Sequence, residues 1–193
     1  MDKNELPDSD TQFIKEFKSG NKESFSHILK RYKKPLVNFA YRNFGSKEDA
    51  EDAVQDILVK VYKALDSYMP EKALSTWIFT IAANQLSNIK RRKKIISFLS
   101  FEQLQENREE SKINQPAETC RDEKKQEVSQ LGADIQEAIF HLPDAQRKAV
   151  MLAKYENIPY EEIAKILKTT SGAVKQLIFR AKITLKKRLQ KYI

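Results

Sequence analysis

The chain has 193 residues, of which 35 are Lys or Arg and 27 are Asp or Glu, so it carries a net charge of +8; 40% of the residues are hydrophobic and only four are glycine. That length suits one or two compact domains, and the basic balance fits a polyanionic partner, either nucleic acid or an anionic membrane surface. A single cysteine, Cys120, excludes an intramolecular disulfide and any cysteine-based metal site, as suits a reducing cytosol, and β-branched residues never alternate with polar ones over a useful length, which argues against a sheet.

The opening MDKNELPDSD is acidic and polar, unlike a secretory signal. Phe13, Phe17, Phe25, Ile28, Leu29 and Tyr32 then form two apolar helical faces around a break at Gly20 and Asn21. Pro35 is read as opening a further helix that ends near Gly45. Ser46 followed by Asp49 is a capping-box pattern, starting a helix over 46–66 whose buried stripe is Ala50, Ala53, Val54, Ile57, Val61 and Leu65. After a break near Tyr68 and Pro70, Ser75 is read as the cap of STWIFTIAANQLSNIKRRKK, with Trp77, Ile78, Ile81, Ala82 and Leu86 on its buried side.

Composition changes next. The run IISFLSF over 95–101 is too short and too interrupted to span a bilayer. The polar stretch 101–132 holds eight acidic and five basic residues and little periodicity. The expectation is an all-α chain: a helical domain over 10–95, a long flexible acidic linker over 96–132, and a second helical domain over 133–193. A loop of that length is a tether or functional; at about 3.3–3.6 Å per residue it reaches roughly 100 Å, so the two domains need not touch. Helical spacing returns with Ile135, Ala138, Ile139 and Leu142, restarts at Pro143 and Asp144, and breaks at Asn157 to Pro159. The short helix YEEIAKIL, the turn KTTSG and a basic helix from Ala173 to Tyr192 close the chain.

Three motifs carry chemistry. Glu162-Ile163-Ala164 and Leu167, then Thr169 to Gly172 and Val174, describe a helix-turn-helix, with small Ala164 allowing close approach and Gly172 in the turn. The outward residues of its second helix are Lys175, Gln176, Phe179, Arg180 and Lys182. No acidic residue follows Glu162, whereas nine Lys or Arg do, which suits the DNA major groove. On the helix over 46–66, Asp52, Gln55 and Asp56 share an exposed face. They read either as favourable charge near a helix N-terminus or as a docking face for a basic protein. Finally, Trp77 and Tyr68 lie near Asn84 and Asn88 and the five cations Lys90 to Lys94. Stacking surfaces, amides and cations together suit single-stranded DNA, at roughly 1–3 kcal/mol per stacked base. The plain alternatives are a core Trp and a solvated helix end. His27 and His141 lie in different domains, and there is no Gly-rich phosphate loop or nucleophile elbow, so no enzymatic activity is expected. A regulator binding duplex operator DNA without polymerase accounts for the helix-turn-helix but leaves the Asp52 face unexplained.

The order of AEDAVQDILVKVYKALDSY, STWIFTIAANQLSNIKRRKK and LPDAQRKAVMLAKYENIPYEEIAKILKTTSGAVKQLIFRAKITLKKRL resembles the sigma-70 family of RNA polymerase sigma factors, in its small extracytoplasmic-function group. The resemblance covers nearly the whole chain apart from the linker. It implies a sigma-2-like and a sigma-4-like domain and promoter-directed initiation without a cofactor or small-molecule substrate. Its implied partners are core RNA polymerase (the clamp helices of the largest subunit, the flap of the second-largest), promoter DNA and an anti-sigma factor that holds the cytoplasmic protein at the inner membrane face. It assigns Asp52, Gln55 and Asp56 to polymerase docking. It assigns Tyr68, Trp77, Asn84, Lys90, Arg91 and Arg92 to the minus-ten element, with a flipped base captured beside Asn84. Lys175, Gln176, Phe179, Arg180 and Lys182 fall to the minus-thirty-five element. The chain departs from the family at Asn88, commonly Asp, at Gln176-Leu177, usually Ser-Arg, and at Thr80-Ile81, where no Trp pair stands. Strand opening is therefore expected to lean on base capture, with narrow promoter choice.

Overall fold

In the computed structural model, which describes residues 8–69, 73–101 and 123–192, every regular element is helical. Helix α1 is Asp8–Lys18, α2 Phe25–Phe44, α3 Lys47–Ala64 and α4 Leu74–Phe101; α5 is Glu123–Phe140, α6 Asp144–Lys154, α7 Tyr160–Leu167 and α8 Ser171–Arg188. Single 3-10 turns stand at Lys22–Ser24, Leu65–Ser67 and Gln190–Tyr192. Among the described residues no helix is long and apolar enough to cross a membrane.

The local signals are obeyed where they are strongest. Gly45 ends α2 in the left-handed region at φ 77°, and Ser46 caps α3 by accepting from the Asp49 N–H at 3.2 Å. The α3 stripe expected from the sequence is buried. Phe17 and Phe25 each meet the Tyr62 ring edge-to-face, at centroid distances of 5.2 and 5.1 Å, closing α1 and α2 over α3. His27 packs flat on Phe13 at 4.1 Å.

Three boundaries differ from the sequence reading. Pro35 does not open a helix; it lies inside α2. The buried face Ile28, Tyr32, Leu36, Phe39, Ala40 and Asn43 runs straight through it, and packing outweighs the cost of about 3 kcal/mol of an interior proline. Ser75 is not a cap, because α4 starts one residue earlier and Trp77 N–H already bonds Ala73 C=O at 3.1 Å. Helix α4 also runs past residue 95 to Phe101, and α5 begins at Glu123 with Gly132 inside it. A shift to polar composition is not a stop signal; no Gly or Pro lies between Pro70 and Pro116, and one helical Gly costs only about 1 kcal/mol. The rest of the expected linker lies outside the described residues.

The two helical units do touch. One hydrophobic cluster runs from Ile14 through Leu86 into Ile139, Met151, Leu152, Ile163, Ile166 and Ile178. The Phe140 ring sits 3.0 Å from where a Cβ on Gly45 would lie, so α5 closes directly on the α2 terminus. Arg42 lies over the Tyr155 ring at 4.0 Å.

Asp10, buried in the first unit, accepts from Arg31 and from Tyr32 Oη, the latter at 3.0 Å. Burial, then the Asp10 charge, pushes the Tyr32 phenol far above its ordinary range; the same two causes push Tyr68 up to about 12. A phenol whose folded pKa is raised leaves stability intact below its unfolded value near 10 and removes it as pH rises, because the unfolded chain ionises first. Urea unfolding should therefore show stability falling between about pH 10 and 12, by roughly 1.4 kcal/mol per unit for each late phenol. Tyr68→Phe should flatten that slope, and absorbance titration of the variant beside the parent should find one fewer phenolate among those that appear late, with unfolding.

Candidate nucleic-acid interface

Helices α7 and α8 form the expected helix-turn-helix. Ile163, Ala164 and Ile166 of α7 are buried, as are Val174, Ile178 and Ala181 of α8. The turn is made by Lys168, left-handed at φ 54°, with Thr169 N–H returning to Ala164 C=O at 2.9 Å. Thr170 caps α8 by accepting from Ala173 N–H at 3.1 Å, so Gly172 belongs to the first turn of α8 and not to the loop before it. Helix α8 stops at Arg188, and the last residues are held back on α5, where Tyr192 Oη donates to Asp134 at 2.7 Å. Lys175, Gln176, Phe179, Arg180 and Lys182 are all exposed. The sequence reading missed Ile183, 44% exposed one turn beyond Phe179 at 60%; the i, i+4 spacing is the signal that pairs them.

Helix α4 presents a second face. Trp77, Asn84, Asn88 and Arg91 recur at i, i+7, i+11 and i+14, on one side of a helix with 3.6 residues per turn. Asn84, Asn88, Arg91 and Arg92 are exposed, while Trp77 is half-buried. Tyr68 is not part of that surface: it is 1% exposed, its ring lies 5.0 Å from that of Trp77, and its carbonyl accepts from Lys18 Nζ at 2.6 Å. Tyr68 thus backs Trp77 from the core and offers no stacking face of its own. Residues 70–72 of the expected pocket loop lie outside the described residues.

Lys90 also leaves the group. It falls on the other side of α4, half-buried, with its ammonium 2.5 Å from an Asp144 carboxylate oxygen. Lys93 pairs with Asp49 at 2.6 Å. Of the cationic run, Arg91 and Arg92 face solvent as a strand contact requires.

On α3, Asp52, Gln55 and Asp56 are exposed together, as the spacing requires, and Val59, 52% exposed, continues the face by one turn. Gln85 of α4 supports it from below, accepting from Lys60 and donating toward Asp56 at 3.4 Å.

A further polar layer, not legible from residue order, lies between the two units. Lys148 is 4% exposed and donates to Ser87 Oγ at 2.7 Å and to Asp144 at 2.7 Å. Arg147, 9% exposed, donates to the carbonyls of Asn43 at 3.0 Å and Leu142 at 2.8 Å. Beside this layer a cleft of about 420 Å³ opens between Asn84 and Ser87 of α4 and Lys168, Thr169 and Leu177 of the helix-turn-helix. Among the described residues no three His, Cys, Asp or Glu side chains are grouped to hold a metal ion.

Two family models match the chain: sigma-70 region 2 over residues 28–95 and sigma-70 region 4 over residues 133–185. The chain is similar to the extracytoplasmic-function (ECF) RNA polymerase sigma factor SigW of Bacillus subtilis, 29% identical over 92% of this chain and 95% of the relative. It also resembles the ECF sigma-E factor of Haemophilus influenzae, 26% identical over 94% and 96% respectively. Among solved structures its fold is like that of CnrH in complex with the cytosolic domain of CnrY, with a TM-score of 0.67, 23% identity, and coverage of 95% of this chain and 98% of that one. The sigma factor RpoE of Bartonella quintana, solved with the anti-sigma factor NepR, gives 0.66 and 24%, over 87% and 98%.

Proposed function

Because the chain belongs to the sigma-70 family of RNA polymerase sigma factors, in the extracytoplasmic-function group, and so directs promoter-specific transcription initiation, we propose that its three exposed faces divide that task. The α3 face of Asp52, Gln55 and Asp56 docks on the polymerase clamp helices. The α4 face, Trp77 with Asn84, Asn88, Arg91 and Arg92, holds the melted minus-ten strand. The α8 face enters the minus-thirty-five major groove with Lys175, Gln176, Phe179, Arg180 and Lys182, and the α5–α8 unit rests on the polymerase flap. The single observation that carries this reading is the simultaneous exposure of an acidic face on α3 and a cationic face without any carboxylate on α8 in a basic protein.

Each face meets a distinct physical need. Carboxylates on α3 suit a cationic coiled coil and steer its approach. Unstacking promoter bases costs a few kcal/mol per step, which a captured base and its phosphate contacts must offset. On α8, Gln176 and Arg180 suit base edges, and the lysines suit phosphates. An anti-sigma factor is the fitting inhibitor, since one of the solved neighbours was captured with such a partner, and it would tie this protein to the inner membrane face.

Reconstituted transcription with core polymerase tests the whole reading. Promoter-specific RNA should appear only when this chain is added, and its absence at every candidate promoter would defeat the proposal. Gel shift separates the duplex-operator alternative, because the free protein should bind duplex weakly. For α8, Lys175→Ala with Arg180→Ala should weaken holoenzyme binding, reduce the slope of log affinity against log salt by about 1, near 0.9 for the phosphate contact of Lys175, and relax the base preference set by Arg180. An unaltered slope would remove α8 from the phosphate backbone.

A further inference from the structure

Helix α8 carries an apolar ridge along the middle of its cationic face. Phe179 and Ile183 stand one turn apart and are both exposed, while the buried side of the same helix is made by Val174, Ile178 and Ala181. At about 100° per residue, Lys175, Lys182 and Lys186 line one edge of the ridge, and Gln176, Arg180 and Lys187 line the other. All six are exposed. Among the described residues none of the four lysines is held in an ion pair. Thr184 is no rival for a base edge, because its Oγ donates back to the Arg180 carbonyl at 3.2 Å. Two large apolar side chains in water, with cations along both margins, suit a partner that is apolar along its centre and anionic along both sides. The major groove is such a surface where thymines place 5-methyl groups on its floor, between two rows of phosphates.

We propose that Ile183 is a specificity-determining residue and forms, with Phe179, a subsite that reads two thymine methyl groups of the promoter duplex. The inference rests on the assignment of α8 to the minus-thirty-five element. Four residues advance a helix by about 6 Å, and bases along one strand rise by about 3.4 Å per step. The two methyls therefore belong to base pairs two steps apart, on either strand. The ridge adds information that the donors at its edges cannot supply, because a methyl group offers no hydrogen bond. It also rejects as well as attracts. Cytosine at the same place presents an amino donor, which the ridge would cover without giving it an acceptor. Selectivity then comes from both the favoured contact and the penalised one.

The test uses holoenzyme, the full chain with core polymerase, to select from a pool of duplexes randomised over the length of a promoter. On an enriched duplex, deoxyuridine then replaces each thymine of the upstream element in turn, which removes the methyl and nothing else. At two positions, two steps apart, the replacement should weaken binding about fourfold, the worth of one buried methyl-sized group. Ile183→Ala should abolish that sensitivity at one position and keep it at the other, and Phe179→Ala should do the reverse. Both side chains are exposed and alanine is a strong helix former, so neither variant disturbs α8. Three results would overturn the subsite: no enriched thymines at that spacing, no loss with deoxyuridine, or a loss that survives in both variants. So would Ile183→Ala weakening binding equally on thymine and deoxyuridine DNA, as expected if the ridge meets a protein instead. Scrambling the whole upstream element checks the underlying assignment. If scrambling leaves binding unchanged, α8 does not read the minus-thirty-five element; if it abolishes binding while deoxyuridine has no effect, only the thymine reading is wrong.

Discussion

Reversing Asp52 and Asp56 to lysine should reduce assembly with core polymerase by about a hundredfold and leave the helical fold intact. Both side chains are exposed on α3 and stand beyond its first turn, so the loss of helix-dipole stabilisation is slight, and surface substitutions of this kind usually stay within about 0.5 kcal/mol. The effect on binding is larger, because like charges facing each other across an interface cost several kcal/mol, and each 1.4 kcal/mol is tenfold. Among the described residues, the hydrogen bond given up is the long one from Gln85 to Asp56. Titration of labelled variant against core enzyme, beside a thermal melt, measures both halves of the prediction. Undiminished assembly would remove α3 from the docking surface.

Arg147→Ala should cost about 3 kcal/mol of stability. Its guanidinium bridges the Asn43 and Leu142 carbonyls and lies over the Phe140 ring at 5.0 Å. Asn43 is in the last turn of α2, where carbonyls lack helical partners and a cation is favoured. Removing the side chain leaves two buried acceptors unmet, each costing about 1–3 kcal/mol, and a void where the charged head stood. Arg147→Lys should recover little, since one ammonium lacks the planar fork that reaches both carbonyls. Urea unfolding of the three proteins decides it, and a loss below about 0.5 kcal/mol would show that water replaces the bridge.

Local chemistry made much of the architecture legible. The Ser46 cap, the Gly45 terminus, the Asn157 to Pro159 break and the helix-turn-helix all rest on a few adjacent residues whose conformational preferences agree. The exposed faces of α3 and α8 follow from helical periodicity alone. What stayed hidden depends on distant partners. Pro35 reads as a breaker until the face running through it is seen packed. Tyr68 reads as an available ring until Trp77 and Lys18 are seen covering it. Lys148 and Arg147 have the composition of a solvated surface, and only the second unit resting on α4 and the end of α2 makes them interior. Lys90 was grouped with Arg91 by adjacency, yet neighbours on a helix point about 100° apart.

Position 45 ties the two halves together. A side chain there would oppose the left-handed backbone that terminates α2 and would press on the Phe140 ring of the other unit, so one position answers to two unrelated physical constraints. A saturation library at this site should tolerate little, whereas at Gly20, with empty space around it, a replacement meets no neighbour and the φ of 108° alone sets the penalty.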